Sequence, residues 1–299
     1  MSNASGSDQV TATAPLSPVA VLGFGAMGSG IALVCAQAGV DVVVLEPDAA
    51  QIQRGEARLQ ASSAKAVARG KLTELDAEQA LARIRCTDSV SDLNGAQLVI
   101  EAVTEDLDVK VEVLRAVVEV VGPAALIATN TSALSVTGIA GQLPNPERVA
   151  GLHFFNPVPA MQLVEVVRAL QTDDAVVAAL LSFTHHLGKV GVEVKDSPGF
   201  IVNRLLMPYL NDVVQAYDDG IASAEDIDVA LELGLGYPVG PLAMLDRIGL
   251  DVHLHATTNA YEATLDPQYA PPPLLRRMVA AGRLGTKTGS GFRTHPEEN

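Results

Sequence analysis

The stretch Pro18-Val19-Ala20-Val21-Leu22-Gly23-Phe24-Gly25-Ala26-Met27-Gly28-Ser29-Gly30-Ile31-Ala32-Leu33 decides the fold. Its first five residues read as a short buried strand, a GxGxxG turn follows, and an apolar helical pattern then runs on to a stop at Gly39. A second apolar strand over residues 42–45 ends on Glu46, 23 residues after the first glycine. The glycine motif alone is weak. Strand, turn, helix, strand and acidic residue in this order are the full context of a dinucleotide-binding βαβ unit. Gly23 permits the tight turn, Gly25 lets the backbone approach a pyrophosphate, and Gly28 lets helix and strand pack closely. Ala26 and Met27 lie in the same turn, where the helix start offers amide groups to phosphates. The Glu46 carboxylate can accept from ribose hydroxyls and would repel a 2′-phosphate, so NAD is expected rather than NADP. Arg54, eight positions on, is the residue that would oppose this preference.

Downstream, the same alternation repeats. A helical pattern covers residues 49–70, and Thr73 with Asp76 marks the start of another helix. Residues 97–103 form the next apolar strand, with Glu101 at the end where open parallel sheets bind ligands. Lys110 lies in the helix that follows. A further strand ends in Asn130-Thr131-Ser132, and another, from Arg148, ends in His153. Twelve residues after the histidine comes Glu165, inside the strand-like Leu163-Val164-Glu165-Val166-Val167. A carboxylate buried in such a run needs a partner, and His153 is the obvious one if the intervening Pro-broken loop folds the second strand back. The pattern predicts a doubly wound α/β sheet over residues 17–196, ending at Asp196-Ser197-Pro198-Gly199. An all-α domain over residues 197–299 is expected to follow, with helices over residues 200–218, kinked at Pro208, and from Ser223 to Gly234. Residues 1–16 read as a disordered leader.

Bulk properties narrow the class. At 299 residues and 48% hydrophobic content, the chain has room for one large domain or two ordinary ones and for a sizeable core. A net charge of −15 argues against nucleic acid or an anionic membrane as partner. The two cysteines, Cys35 and Cys86, show no metal spacing, and His253 and His255 have no further ligands at zinc spacing, so no metal is expected. With no apolar run long enough to span a bilayer and no signal-peptide pattern, a cytoplasmic location is expected.

Together these motifs resemble the L-3-hydroxyacyl-CoA dehydrogenase family, and among its branches the stand-alone bacterial 3-hydroxybutyryl-CoA dehydrogenases. The likeness runs from about residue 18 to 292, through His153-Phe154-Phe155-Asn156-Pro157, Pro198-Gly199-Phe200-Ile201-Val202-Asn203-Arg204 and Gly249-Leu250-Asp251. It implies NAD-dependent, reversible oxidation of an L-3-hydroxyacyl thioester, with acyl-CoA as substrate. His153 would be the acid/base and Glu165 the residue orienting it. Ser132 and Asn203 would hydrogen-bond the reacting oxygen and orient the thioester, which places the site between two domains. Glu101, Lys110 and Asn130 would serve the cofactor. The resemblance also implies a homodimer through the C-terminal domain, in keeping with the apolar helical pattern there.

The chain departs from the family in three places. A lysine-rich run that contacts CoA is thinned here to Ser63, Lys65, Arg69 and Lys71, of which Ser63 and Arg69 are the working choices for substrate contact. Gln162 stands where lysine is usual, and Arg293 where tyrosine is usual. Two other readings stay open: the same chemistry on a carrier-protein-bound acyl group, and a dinucleotide-binding protein without turnover.

Overall fold

The computed structural model of the chain describes residues 16–295. The leader expected over residues 1–16 lies outside them except for Leu16, which packs against the core. The chain divides into two compact units, Met1–Thr131 with Val136–Glu193, and Ser132–Ser135 with Val194–Asn299.

The first unit alternates strands and helices in the order β1 (Val19–Leu22), α1 (Ala26–Gln37), β2 (Val42–Leu45), α2 (Ala49–Ala68), α3 (Glu74–Ala82), β3 (Ile84–Thr87), β4 (Leu98–Glu101), α4 (Leu107–Val121), β5 (Leu126–Thr129), α5 (Val136–Ala140), β6 (Val149–Phe154), β7 (Leu163–Arg168), α6 (Asp174–His186) and β8 (Val190–Lys195). They form one sheet in the order β3-β2-β1-β4-β5-β6-β7-β8. The first six strands in that order are parallel neighbours, the arrangement of a doubly wound dinucleotide-binding fold. β7 turns back antiparallel to β6. All four residues of β1 are buried, as a strand covered on both faces must be. The core over that sheet draws Ile31, Leu33 and Val34 from α1 and Val177, Leu180 and Phe183 from α6.

β3 is the strand that hydrophobic patterning misses. It reads Ile-Arg-Cys-Thr, sits at the sheet edge, and has only Thr87 buried, so no apolar run marks it. Caps appear where the side chains call for them: Asp48 accepts from Ala50 N, Thr73 and Asp76 form a reciprocal capping box, and Asp106 accepts from Val109 N.

The second unit holds α7 (Val202–Asp218), α8 (Ala224–Leu235), α9 (Pro241–Ile248), α10 (Leu250–Thr264) and α11 (Pro273–Ala280). α7 continues through Pro208. α8 runs past Gly234 and stops at Gly236, because Gly236 is the residue that takes the left-handed conformation, at φ 74°. Two buried carboxylates organise this unit. Asp228 accepts from Leu242 N at 2.8 Å and Ala243 N at 3.0 Å, capping α9, and from Arg293 Nη2 at 2.5 Å. Asp246 accepts from Phe292 N at 2.8 Å and Arg293 N at 3.0 Å, fastening the Gly-rich tail. Arg293 is thus the partner of a buried carboxylate.

His253, which nothing in the sequence marks, is 4% exposed. Its Nε2 meets Asn211 Oδ1 at 3.0 Å, Asn211 Nδ2 donates to Thr257 Oγ1 at 2.8 Å, and Thr257 Oγ1 donates to the Tyr269 carbonyl at 2.6 Å. Burial pushes the imidazole down to about 4 from its ordinary 6.5. The unfolded chain therefore takes the proton first, and this part of the stability is present above pH 6.5 and lost as the pH falls to about 4. By pH 5 the loss is about 2 kcal/mol. Unfolding free energies from denaturant titration at pH 7.5 and 5 are expected to differ more in the wild type than in His253→Gln, by about 2 kcal/mol.

Candidate active site

The first turn of the sheet has the shape an incoming diphosphate needs. Gly23 adopts φ 91°, and a Cβ there would sit 2.9 Å from the Ala102 carbonyl of the neighbouring crossover. A Cβ on Gly28 would strike the Gly23 carbonyl, whereas one on Gly25 would meet nothing within 4 Å. The approach to Gly25 is open, and among the described residues no side chain caps the start of α1. The amides from Ala26 and Met27 onward thus belong to an uncapped helix start, which fits a pyrophosphate.

Glu46 braces this turn: its carboxylate accepts from Phe24 N at 3.0 Å and from Asp48 N at 3.1 Å. Arg54 is held by Gln51 at 2.9 Å and Asp48 at 3.2 Å, an acidic setting that opposes recruitment of a 2′-phosphate.

At the end of β4, the Glu101 carboxylate is 0% exposed and fully engaged. It accepts from Val103 N at 2.8 Å, from Lys110 Nζ at 2.7 Å and from Thr129 Oγ1 at 2.6 Å. Lys110, 1% exposed, also meets Glu105 at 3.1 Å, and Thr131 Oγ1 donates to Glu105 at 2.5 Å. Glu101 and Lys110 therefore meet each other, and the carboxylate this network carries toward solvent is Glu105, at 36% side-chain exposure. Glu105 carries no mark in the sequence, because a charged residue in a loop shows nothing of what lies beneath it.

His153 and Glu165 face each other directly across the antiparallel β6–β7 pair. The Nδ1 to Oε2 distance is 2.7 Å, with His153 5% and Glu165 1% exposed. A neutral imidazole in this contact donates from Nδ1 to the carboxylate. The Phe155 ring lies against the imidazole, centroids 4.6 Å apart. Asn130 Oδ1 accepts from Phe154 N at 2.9 Å and ties the end of β5 to the residue after the histidine.

Ser132 and Asn203 come together in the second unit. They share a cavity of about 60 Å³ with Gly199, Met207, Asn259 and Ala260. Ser135, in the same short segment as Ser132, donates to Asp196 at 2.8 Å.

The two residues chosen on α2 fare differently. Arg69 is exposed at the helix end, but Ser63 is 3% exposed and its hydroxyl is buried. Adjacent helical positions differ by about 100° in direction, and here that turns Ser62, not Ser63, outward. Ser62 lines a surface pocket of about 260 Å³ with Ser29, Gly30, Arg58, Asn156 and Pro159.

A parallel sheet of this order, with a turn shaped for a diphosphate and a buried imidazole–carboxylate pair in the same unit, defines the class of dinucleotide-dependent dehydrogenases. The chain matches the family model described as 3-hydroxyacyl-CoA dehydrogenase, NAD binding domain, over residues 18–197, and that of the family's C-terminal domain over residues 199–295. It belongs to the 3-hydroxyacyl-CoA dehydrogenase family, is an NAD-dependent oxidoreductase, and uses NAD. A 3-hydroxybutyryl-CoA dehydrogenase of Mycobacterium tuberculosis is 46% identical over 279 residues, covering 93% of this chain and 98% of the relative. The crystal structure of (S)-3-hydroxybutyryl-CoA dehydrogenase from Ralstonia eutropha aligns with TM-score 0.91 at 44% identity, covering 93% of this chain and 99% of that one. That of Mycobacterium tuberculosis FadB2 aligns with TM-score 0.91 at 45% identity, covering 95% and 100%. Among the described residues, no helix is long and apolar enough to cross a membrane.

Proposed function

We propose that the protein interconverts L-3-hydroxybutyryl-CoA and acetoacetyl-CoA, with His153 as general acid/base. The observation that carries this reading is the buried 2.7 Å contact between His153 Nδ1 and Glu165. Bound NAD supplies the acceptor for the hydride that leaves C3 of the hydroxyacyl group. His153 Nε2 takes the hydroxyl proton as the C3–O bond becomes a carbonyl, and the Glu165 carboxylate stabilises the imidazolium so formed. In the reducing direction the same nitrogen returns the proton to the oxygen at C3. Ser132 and Asn203 hydrogen-bond the reacting oxygen and orient the thioester, a contribution to electrostatic stabilisation of the transition state.

The dinucleotide is held by Gly23, Gly25, Ala26, Met27 and Gly28 through backbone approach and by Glu46 at the ribose. Asn130 and Glu105 would serve the bound dinucleotide, and Glu101 and Lys110 would act through Glu105 and the loop they brace. Arg69 and Ser62, with Arg58, meet the CoA phosphates. The short-chain substrate follows the names of the similar proteins, which run through 3-hydroxybutyryl-CoA dehydrogenases of several bacteria. A carrier-protein-bound substrate is disfavoured by charge, since a chain at −15 repels an acidic carrier.

The helical unit exposes Leu205, Ile221, Leu233 and Leu235 at 70, 74, 83 and 58%, an apolar surface suited to a second copy of the chain. Light scattering after size exclusion is expected to give twice the 31.1 kDa chain mass. The test of the activity is NADH oxidation with acetoacetyl-CoA, run beside longer 3-oxoacyl-CoAs and a carrier-bound analogue. Turnover is expected to be fastest with acetoacetyl-CoA. No turnover with any of them would refute the reading.

A further inference from the structure

Lys189 lies between α6 and β8 and is 6% exposed. Its ammonium donates to two backbone carbonyls, that of Val158 at 2.8 Å and that of Met161 at 2.7 Å. Both belong to the connection between β6 and β7, residues 155–162. Among the described residues, no carboxylate lies at ion-pair distance from it. The nearby thiol of Cys35 is wholly buried, which pushes it up to about 12 and keeps it neutral. Burial holds the ammonium below the usual lysine range. A buried lysine without a counter-ion is an expensive way to fill space. It does what an aliphatic side chain of the same length does not: it donates to two loop carbonyls at once.

The same connection is fixed at three further points. The Val190 amide, next to Lys189, donates to the Gln162 carbonyl at 2.8 Å. Val158 is 2% exposed and packs on α1, where a Cβ at Gly30 would come within 2.8 Å of the Val158 Cβ. Phe155, at the start of the connection, rests on the His153 ring. One connection thus touches both the helix that follows the dinucleotide turn and the histidine, and Lys189 holds it from behind.

We propose that Lys189 is a positioning residue for the reaction: by holding the carbonyls of Val158 and Met161 it sets the β6–β7 connection against α1, and with it the placement of the His153 ring relative to the dinucleotide turn. The proposal rests on the reading of His153 as the acid/base. Misplacement of a reacting group by about 1 Å can lower a rate by about 10²-fold without loss of binding. Lys189→Met is therefore expected to lower kcat for acetoacetyl-CoA reduction by about tenfold or more, with KM changed less than about twofold. The isotope effect on kcat with NADH deuterated at the transferred position is expected to grow, because the chemical step becomes limiting.

Lys189→Arg, whose guanidinium also donates to two acceptors, is expected to recover much of the loss. The His153 ring resonances of histidine-labelled full-length protein are expected to move in Lys189→Met and return in Lys189→Arg. Val158→Ala, which keeps both carbonyls but opens the contact with α1, is expected to show the same split in smaller measure and serves if Lys189→Met does not fold. Unchanged kcat with unmoved His153 resonances overturns the proposal, as does a fall in kcat fully matched by a fall in folded protein. If the wild type turns over no 3-oxoacyl-CoA, the functional reading fails separately, and the His153 resonances alone decide the role of Lys189.

Discussion

His153→Ala is expected to lower kcat by about 10²–10⁴-fold in both directions while the affinity for NADH stays within about twofold. In the proposed mechanism the imidazole exchanges the substrate proton, so its loss would remove an interaction made in the transition state and absent from cofactor binding. The dinucleotide turn lies on other elements, around Gly23 and Gly28, and gains nothing from the ring. Stopped-flow reduction of acetoacetyl-CoA with NADH fluorescence separates the two quantities. Near-normal turnover in the variant would remove His153 from the acid/base role. The variant also leaves Glu165, 1% exposed, without its imidazole partner. A modest fall in stability should accompany the loss of rate, so kcat is to be referred to folded protein.

The second large effect is on stability. Lys110→Met is expected to destabilise the protein by about 3–5 kcal/mol, because it removes the cation from a carboxylate that is 0% exposed. Glu101 would keep the amide of Val103 and the hydroxyl of Thr129 but lose its only paired ammonium among the described residues. The double variant Lys110→Met/Glu101→Gln is expected to recover most of the loss, since no buried charge then remains. Urea unfolding of the three proteins checks this. If the single and double variants were equally unstable, the effect would lie in packing and not in charge. The same comparison bears on cofactor binding. If Glu101 and Lys110 act by bracing the loop that carries Glu105, the double variant, though stable, will bind NADH more weakly than the wild type, as Glu105→Ala will.

Much of this was legible in local pattern. Strand β1, the glycine turn, α1 and β2 declare themselves because each has a period or a punctuation that nearest neighbours impose: two residues for a strand, 3.6 for a helix, and glycine where φ must be positive or backbones nearly touch. The proximity of His153 and Glu165 was legible for a related reason. A carboxylate inside an alternating apolar run cannot stay buried alone, and a twelve-residue separation broken by prolines brings the second strand back beside the first. β3 escaped because an edge strand half open to solvent needs no apolar alternation. The end of α8 was misplaced by two residues because Gly234 and Gly236 are equivalent as letters, and only the path of the chain decides which takes the left-handed turn.

By itself, then, the sequence determined the dinucleotide turn, the parallel α/β order, the helical second unit, and the chemical types at the candidate site. Packing of the whole chain sets which of several similar groups faces solvent and which is bound to a partner. Ser62 points outward and Ser63 inward; Glu105 is exposed while Glu101 is sealed against Lys110; Arg293 and His253 are bound into buried polar contacts. Lys189 is the clearest instance, since its partners are backbone carbonyls, which every residue carries and no sequence distinguishes. Burial and hydrogen-bond partnership are sums over neighbours distant along the chain, and that sum is evaluated only when the sheet and its helices have closed around each group.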